Sequence, residues 1–294
     1  MKKLLFGMLA IVAIVATSCV QNQNLGANAN GEIVSVSVNV GLPASRAFSD
    51  GASATRLQYA VYTQHEDLTL EHHSKLDYAV SLNNGHANIN LDLAIGDTYA
   101  ILFWADKGAD SPYTVDFENY IVTVDYTNAL CNDESRDAFF AMTTFTVNGP
   151  STINAELKRP FAQINIGTND LEKMANIDRK ISHSKVSIDT YSKFNLITGN
   201  VVGDAQTVDF GYAEIPSLDE RHPVNGYNYL AMCYFLTNKE GETCDVKFSY
   251  KTENNSYENS RAIGAVPVKL NHRTNLYGAL ITSNAVGVDY PSPV

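Results

Sequence analysis

Apolar and polar residues alternate along this chain in short bursts, and the first burst is the cleanest. Val34, Val36, Val38, Val40 and Leu42 fall on one side of a period of two, with Ser35, Ser37, Asn39 and Gly41 on the other. Such a segment forms a strand with one buried face, and Pro43 ends it. Similar runs predict strands over 56–63, 76–82, 87–93, 99–105, 120–126 and 138–147. The run 99–105 is apolar throughout, so it predicts a central strand covered on both faces. Segments 76–82 and 87–93 flank Asn83-Asn84-Gly85-His86 and predict a hairpin. Asn148-Gly149-Pro150 breaks the series. The pattern then restarts, with strands over 153–157, 161–166, 186–191, 227–236, 243–250, 265–270 and 275–282. Residues 170–176 predict a turn or two of helix capped by Asn169.

Many short strands, turns rich in Gly and Asn, and little helix predict an all-β protein. The length suits two β-sandwiches in tandem, residues 32–156 and 157–294. A parallel α/β fold lacks the crossover helices it would need.

The first residues follow a different rule. Lys2 and Lys3 precede an apolar stretch over 4–15, and Ala16-Thr17-Ser18 put small residues directly before Cys19. That stretch is too short to span a bilayer of about 30 Å as a lasting helix. It reads as a signal peptide over 1–18, cut between Ser18 and Cys19, with Cys19 left to carry lipid. Residues 19–31 then form a polar tether rich in Asn and Gly. The expected product is an exported bacterial lipoprotein held at the outer membrane through Cys19.

Charge narrows the partners. Losing Lys2 and Lys3 leaves 19 of 21 basic residues against 32 acidic ones, a mature net charge of −13. A chain so acidic offers no electrostatic footprint for nucleic acid. Cys131, Cys233 and Cys244 are odd in number, which argues against a disulfide framework. Cys233 and Cys244 flank an expected hairpin turned at Asn238-Lys239-Glu240-Gly241. In that register they sit one diagonal step apart, leaving either two buried thiols or a bridge closed by a bulge.

No phosphate-cradling loop, nucleophile elbow or helical zinc motif occurs, and no cofactor or metal is expected. The richest polar cluster, His65 to His73, reads as an exposed loop between strands. Asn88, Asn90 and Asp92 alternate with Ile89 and Leu91, so they read as the wet face of a strand rather than a calcium loop. Enzyme activity is not expected.

Three features resemble the fimbrillin-like lipoproteins of Bacteroidales, the subunits and accessory proteins of type V pili. One is the order of Cys19, polar tether, alternating strand and Ser45-Arg46-Ala47-Phe48. Another is the run from Leu157 through Lys158-Arg159-Pro160 to Ile166. The last runs from Pro267 to Gly278, similar to a motif in a subgroup without assigned function. The resemblance implies two transthyretin-like β-sandwich domains. It also implies protease cleavage after Arg46, leaving Ala47 as the new N-terminus and removing the first strand, 33–42. A strand from a neighbouring subunit would then fill the slot by donor-strand complementation. The face of Val34, Val36, Val38, Val40 and Leu42 is the one such a slot must accommodate. Residues 285–290 look short for a donor strand, which points to a tip, anchor or accessory role in adhesion. The expected location is the outer membrane, cell surface or fimbrium, with other pilus subunits and a host or bacterial surface receptor as partners. The alternative is a surface glycan-binding lipoprotein working beside a nutrient importer.

Overall fold

The computed structural model describes residues 31–43, 51–177, 179–217, 222–283 and 285–293. They form an all-β protein of β-sandwiches in tandem, with one short α-helix among the described residues.

The first sandwich has a small sheet ordered β10 (Ser151–Glu156), β1 (Ile33–Gly41), β5 (His86–Ala94). Facing it are β3 (Leu70–His72), β2 (Arg56–Gln64), β6 (Thr98–Asp106) and β9 (Phe139–Thr146), with β4 (Tyr78–Ser81) also paired to β2. Alternation does the packing. Val36, Val38, Val40, Ile89, Leu91 and Leu93 from one sheet meet Leu57, Tyr59, Val61, Ile101 and Phe103 from the other. β6 is the central strand its composition predicts, buried from Tyr99 to Asp106.

The second sandwich repeats the arrangement. One sheet is ordered β16 (Asn228–Leu236), β11 (Phe161–Thr168), β19 (His272–Gly278), β20 (Val286–Pro293). The other is ordered β15 (Gln206–Glu214), β12 (Ile181–Thr190), β17 (Glu242–Thr252), β18 (Glu258–Val268). Ile164, Ile166, Ile188, Phe210, Phe235 and Phe248 fill the space between them.

A fifth sheet ties the halves together: β14 (Asn200–Val202), β13 (Lys193–Asn195), β8 (Ile121–Val124) and β7 (Tyr113–Asp116). β13 comes from the later half and pairs antiparallel with β8 of the earlier one. Trp104, Phe140, Phe161, Phe194 and Tyr234 share one buried aromatic cluster at this joint.

Two expected hairpins are corrected. The turn at Asn83 to His86 exists, with Asn84 and Gly85 in left-handed backbone. Its arms diverge, however: β4 pairs with β2 and β5 with β1, in opposite sheets. Likewise β16 pairs with β11, whereas β17 pairs with β12 and β18. Cys233 and Cys244 therefore lie in different sheets, and both are free, as is Cys131. In each case a sandwich satisfies both strands better by sending one to each layer.

The helix α1 (Leu171–Ala175) starts one residue later than expected, with Asp170 at its N-cap. Asp170 uses its carboxylate elsewhere: Oδ2 accepts from the Ile281 and Thr282 amides at 3.1 and 2.8 Å. That ties the helix start to the segment after β19.

Candidate functional site

β1 lies in the middle of its three-stranded sheet, antiparallel to β5 and parallel to β10. Its pairing runs past its own ends: Ile95 N–H donates to Glu32 O at 2.8 Å and Leu42 N–H to Gly85 O at 2.9 Å. Leu157 N–H closes on Gly41 O at 2.9 Å. Val36, Val38 and Val40 are at most 1% exposed, while Val34 and Leu42 at the ends are half-buried. All five expected positions thus share the inward face.

The slot has a shape. Val36 is opposite Leu91, Val38 is flanked by Ile89 and Ile153, and Val40 by Ala87 and Ala155. The floor is the Leu57, Tyr59, Ile101 and Phe103 face of the other sheet. Burying a valine side chain contributes roughly 1.5–3 kcal/mol, so these residues hold β1 by on the order of 5 kcal/mol. Open backbone on β5 and β10 would add to the cost of an empty slot.

The outer face of β1 is polar and ordered. Ser37 Oγ donates to Asn90 Oδ1 at 2.8 Å. Asn88 Nδ2 donates to Asn39 Oδ1 at 2.7 Å, and Asn39 Nδ2 to Asn154 Oδ1 at 3.1 Å. Asn88, Asn90 and Asp92 occupy the wet face of β5, as the alternation predicts.

Ser18, Cys19, Arg46 and Ala47 lie outside the described residues. The structure brings the described ends of that segment, Gly31 and Pro43, to either end of β1.

The histidine cluster disperses. His72 is held between two carboxylates, Nδ1 3.0 Å from Glu118 and Nε2 2.9 Å from Asp77. Its ring stacks on Tyr62 with centroids 4.7 Å apart. Burial opposes its charge, yet hydrogen bonds to Glu118 and Asp77 outweigh that and raise its pKa. His73 instead bonds Thr63, 2.7 Å away. Among the described residues, no three His, Cys, Asp or Glu side chains form a metal-holding group.

β20 is not among the strands the alternation predicts, and neither are β3, β7, β13, β14 and β15. β20 pairs antiparallel with β19 at the sheet edge, and Asn275 Nδ2 donates to Asp289 Oδ2 at 2.9 Å. Residues 286–293 therefore complete their own sheet. Val286 and Val288 signal this alternation, but Gly287, Pro291 and Pro293 obscure it; an edge strand tolerates them.

A family model described as a family of unknown function, DUF6562, matches residues 20–290. The chain belongs to the DUF6562 family. No curated protein matches it. Among solved structures, a candidate cell adhesion protein of Bacteroides ovatus ATCC 8483 is similar, with TM-score 0.52 at 9% identity over 90% of this chain and 98% of that one. A candidate cell adhesion protein of Bacteroides eggerthii DSM 20697 gives 0.51 at 12% identity, covering 91% and 97%. Candidate polysaccharide-binding proteins (DUF1812) of Bacteroides thetaiotaomicron VPI-5482 give 0.51 at 10% identity, covering 89% and 98%. At these identities, what this DUF6562 chain shares with them is the fold.

Proposed function

We propose that this protein is a fimbrillin-like surface lipoprotein, a tip or accessory subunit of a type V pilus acting in cell adhesion. In this reading it comprises two transthyretin-like domains, 32–156 and 157–294, behind a tether on lipidated Cys19. The observation that carries the proposal is the position of β1. The strand between Cys19 and Arg46 in the sequence sits between two other strands, with Val36, Val38 and Val40 buried across from the facing sheet. Cutting between Arg46 and Ala47 would free that strand, and a strand from another subunit would take its place with the same backbone bonds. The similarity of fold to candidate cell adhesion proteins supports the reading.

The state of residues 286–293 favours an accepting subunit. They are engaged as β20, so donating them would open this sheet at β19. The protein's partners are then subunits that supply a strand and a surface receptor.

A glycan-binding role beside a nutrient importer is the second reading, favoured by the fold shared with candidate polysaccharide-binding proteins. Tyr78 and Tyr290 are the exposed large aromatics among the described residues, and they stand on different sheets. Glycan-array binding lost in Tyr78→Ala or Tyr290→Ala would support it.

Treating the purified precursor with an Arg-specific protease tests the leading proposal. A released fragment ending at Arg46, with the remainder still folded and able to take up a strand peptide, is the expected result. Cutting elsewhere first, or general degradation, contradicts it.

A further inference from the structure

β1 and β11 open their sandwiches on one plan. Val36-Ser37-Val38-Asn39-Val40-Gly41 and Ala162-Gln163-Ile164-Asn165-Ile166-Gly167 match in alternation, with Asn and Gly at corresponding places. Each strand lies between one antiparallel and one parallel neighbour. In each, the Asn stands directly opposite an Asn of the parallel neighbour. Asn39 Nδ2 donates to Asn154 Oδ1 at 3.1 Å, and Asn165 Nδ2 to Asn275 Oδ1 at 2.8 Å. Two residues on, a glycine lies beneath a histidine. A Cβ on Gly41 would be 3.2 Å from His86 Nδ1, and one on Gly167 would be 2.7 Å from the His222 ring.

The inward valines cannot by themselves set the register of β1. A slip of one residue would turn the polar face inward and is strongly penalised, but a slip of two keeps apolar residues inside. The polar face removes that ambiguity. Moving β1 by two residues puts Ser37 or Gly41 in the place of Asn39, between Asn88 and Asn154. A serine hydroxyl is too short to reach both neighbours, and glycine reaches neither. In the second sandwich the same pair is buried, with Asn165 and Asn275 at most 1% exposed, on a strand continuous with the chain at both ends. Its recurrence there marks the pair as part of the building plan of the sandwich.

We propose that Asn39 is the register key of the β1 slot. The strand that replaces β1 comes from a partner chain and carries Asn at this position, within an apolar–polar–apolar–Asn–apolar–Gly pattern. This inference rests on the strand-exchange reading of the site.

The test uses the Arg-protease-treated protein and synthetic peptides spanning residues 31–43. The native peptide is compared with its Asn39→Ala form by fluorescence anisotropy. Two cross-strand polar pairs are worth roughly fivefold in affinity, so the Asn39→Ala peptide should bind about fivefold more weakly. That gap should close in protein carrying Asn88→Ala and Asn154→Ala. Equal binding of the two peptides overturns the proposal, as does a gap that persists in the altered protein. If protease treatment unfolds the protein, the strand-exchange reading fails by itself, and the key is judged in the uncut chain. There, Asn39→Ala and the Asn88→Ala/Asn154→Ala pair should lower Tm by less in combination than the sum of their separate effects. Additive losses would overturn it.

Discussion

Arg159 grips Asp137 through a bidentate ion pair, Nε to Oδ1 and Nη2 to Oδ2 both at 2.8 Å, at the point where the chain passes between sandwiches. The guanidinium also lies 4.6 Å from the centre of the Phe139 ring, and the Arg159 amide donates to Asn271 Oδ1 at 3.2 Å. Both partners are buried, at 3% and 0% exposure. Removing one leaves the other as an unpaired buried charge, which typically costs 3–5 kcal/mol. Asp137→Ala should lower unfolding stability by about 3 kcal/mol or more. Urea denaturation measures it, and a loss within about 0.5 kcal/mol, the scale of an ordinary surface substitution, would contradict a supporting role for the pair.

The face of β1 should show a sharp alternation. Val38→Ala deletes fully buried methyls and should destabilise the uncut protein by roughly 2 kcal/mol. Ser35→Ala, on the exposed side, should change stability by less than about 0.5 kcal/mol. Equal losses at both positions in urea melts would contradict the inward face assigned to Val38.

Two histidines should oppose each other in their dependence on pH. Burial pushes His222 from its usual 6.5 down to about 4, with hydrogen bonds to Asn165 and Val224 only partly offsetting it. The unfolded chain therefore takes up this proton first. Its contribution is full above pH 6.5 and falls away as pH drops toward 4. His72, with its pKa raised between Glu118 and Asp77, contributes fully below its unfolded value and loses that contribution as pH rises through the folded one. A series of Tm values between pH 7.5 and 4.5 should fall less steeply with acid in His222→Asn than in the parent. For His72→Gln the series is carried from mildly acidic to mildly alkaline pH, and the loss of Tm as pH rises should be smaller than in the parent. Unchanged slopes would remove each histidine from this account.

The three thiols besides Cys19 should be reduced and sheltered. Burial raises the Cys131 thiol above its ordinary pKa, raises Cys233 well above it, and raises Cys244 to about 12. Iodoacetamide should leave Cys131 and Cys233 unmodified in the folded protein and alkylate all three after denaturation. A Cys233–Cys244 bridge found by mass spectrometry would contradict their placement in separate sheets.

Period-two alternation located most strands to within a few residues, because a strand half-buried in a sandwich must alternate. β1 and β6 were legible in full: one shows a single clean face, the other is apolar throughout because both of its faces are covered. What alternation does not encode is partnership. The turns at Asn83 to His86 and at Asn238 to Gly241 look like hairpins, but their arms join opposite layers. Short β7, β13 and β14 make their sense only at the joint between sandwiches, through residues distant in sequence. At the candidate site, the valine face was readable. The Asn39–Asn154 pair was not, since its meaning depends on which strand lies parallel to β1.

The N-terminus of the protein as the cell makes it tests the central claim most directly. Mass spectrometry of membrane and surface-shed fractions should find acylated Cys19 in the former and Ala47 at the start of shed, assembled material. Shed material that still carries residues 33–42 ahead of an uncut Arg46 would contradict strand exchange and leave a resident lipoprotein.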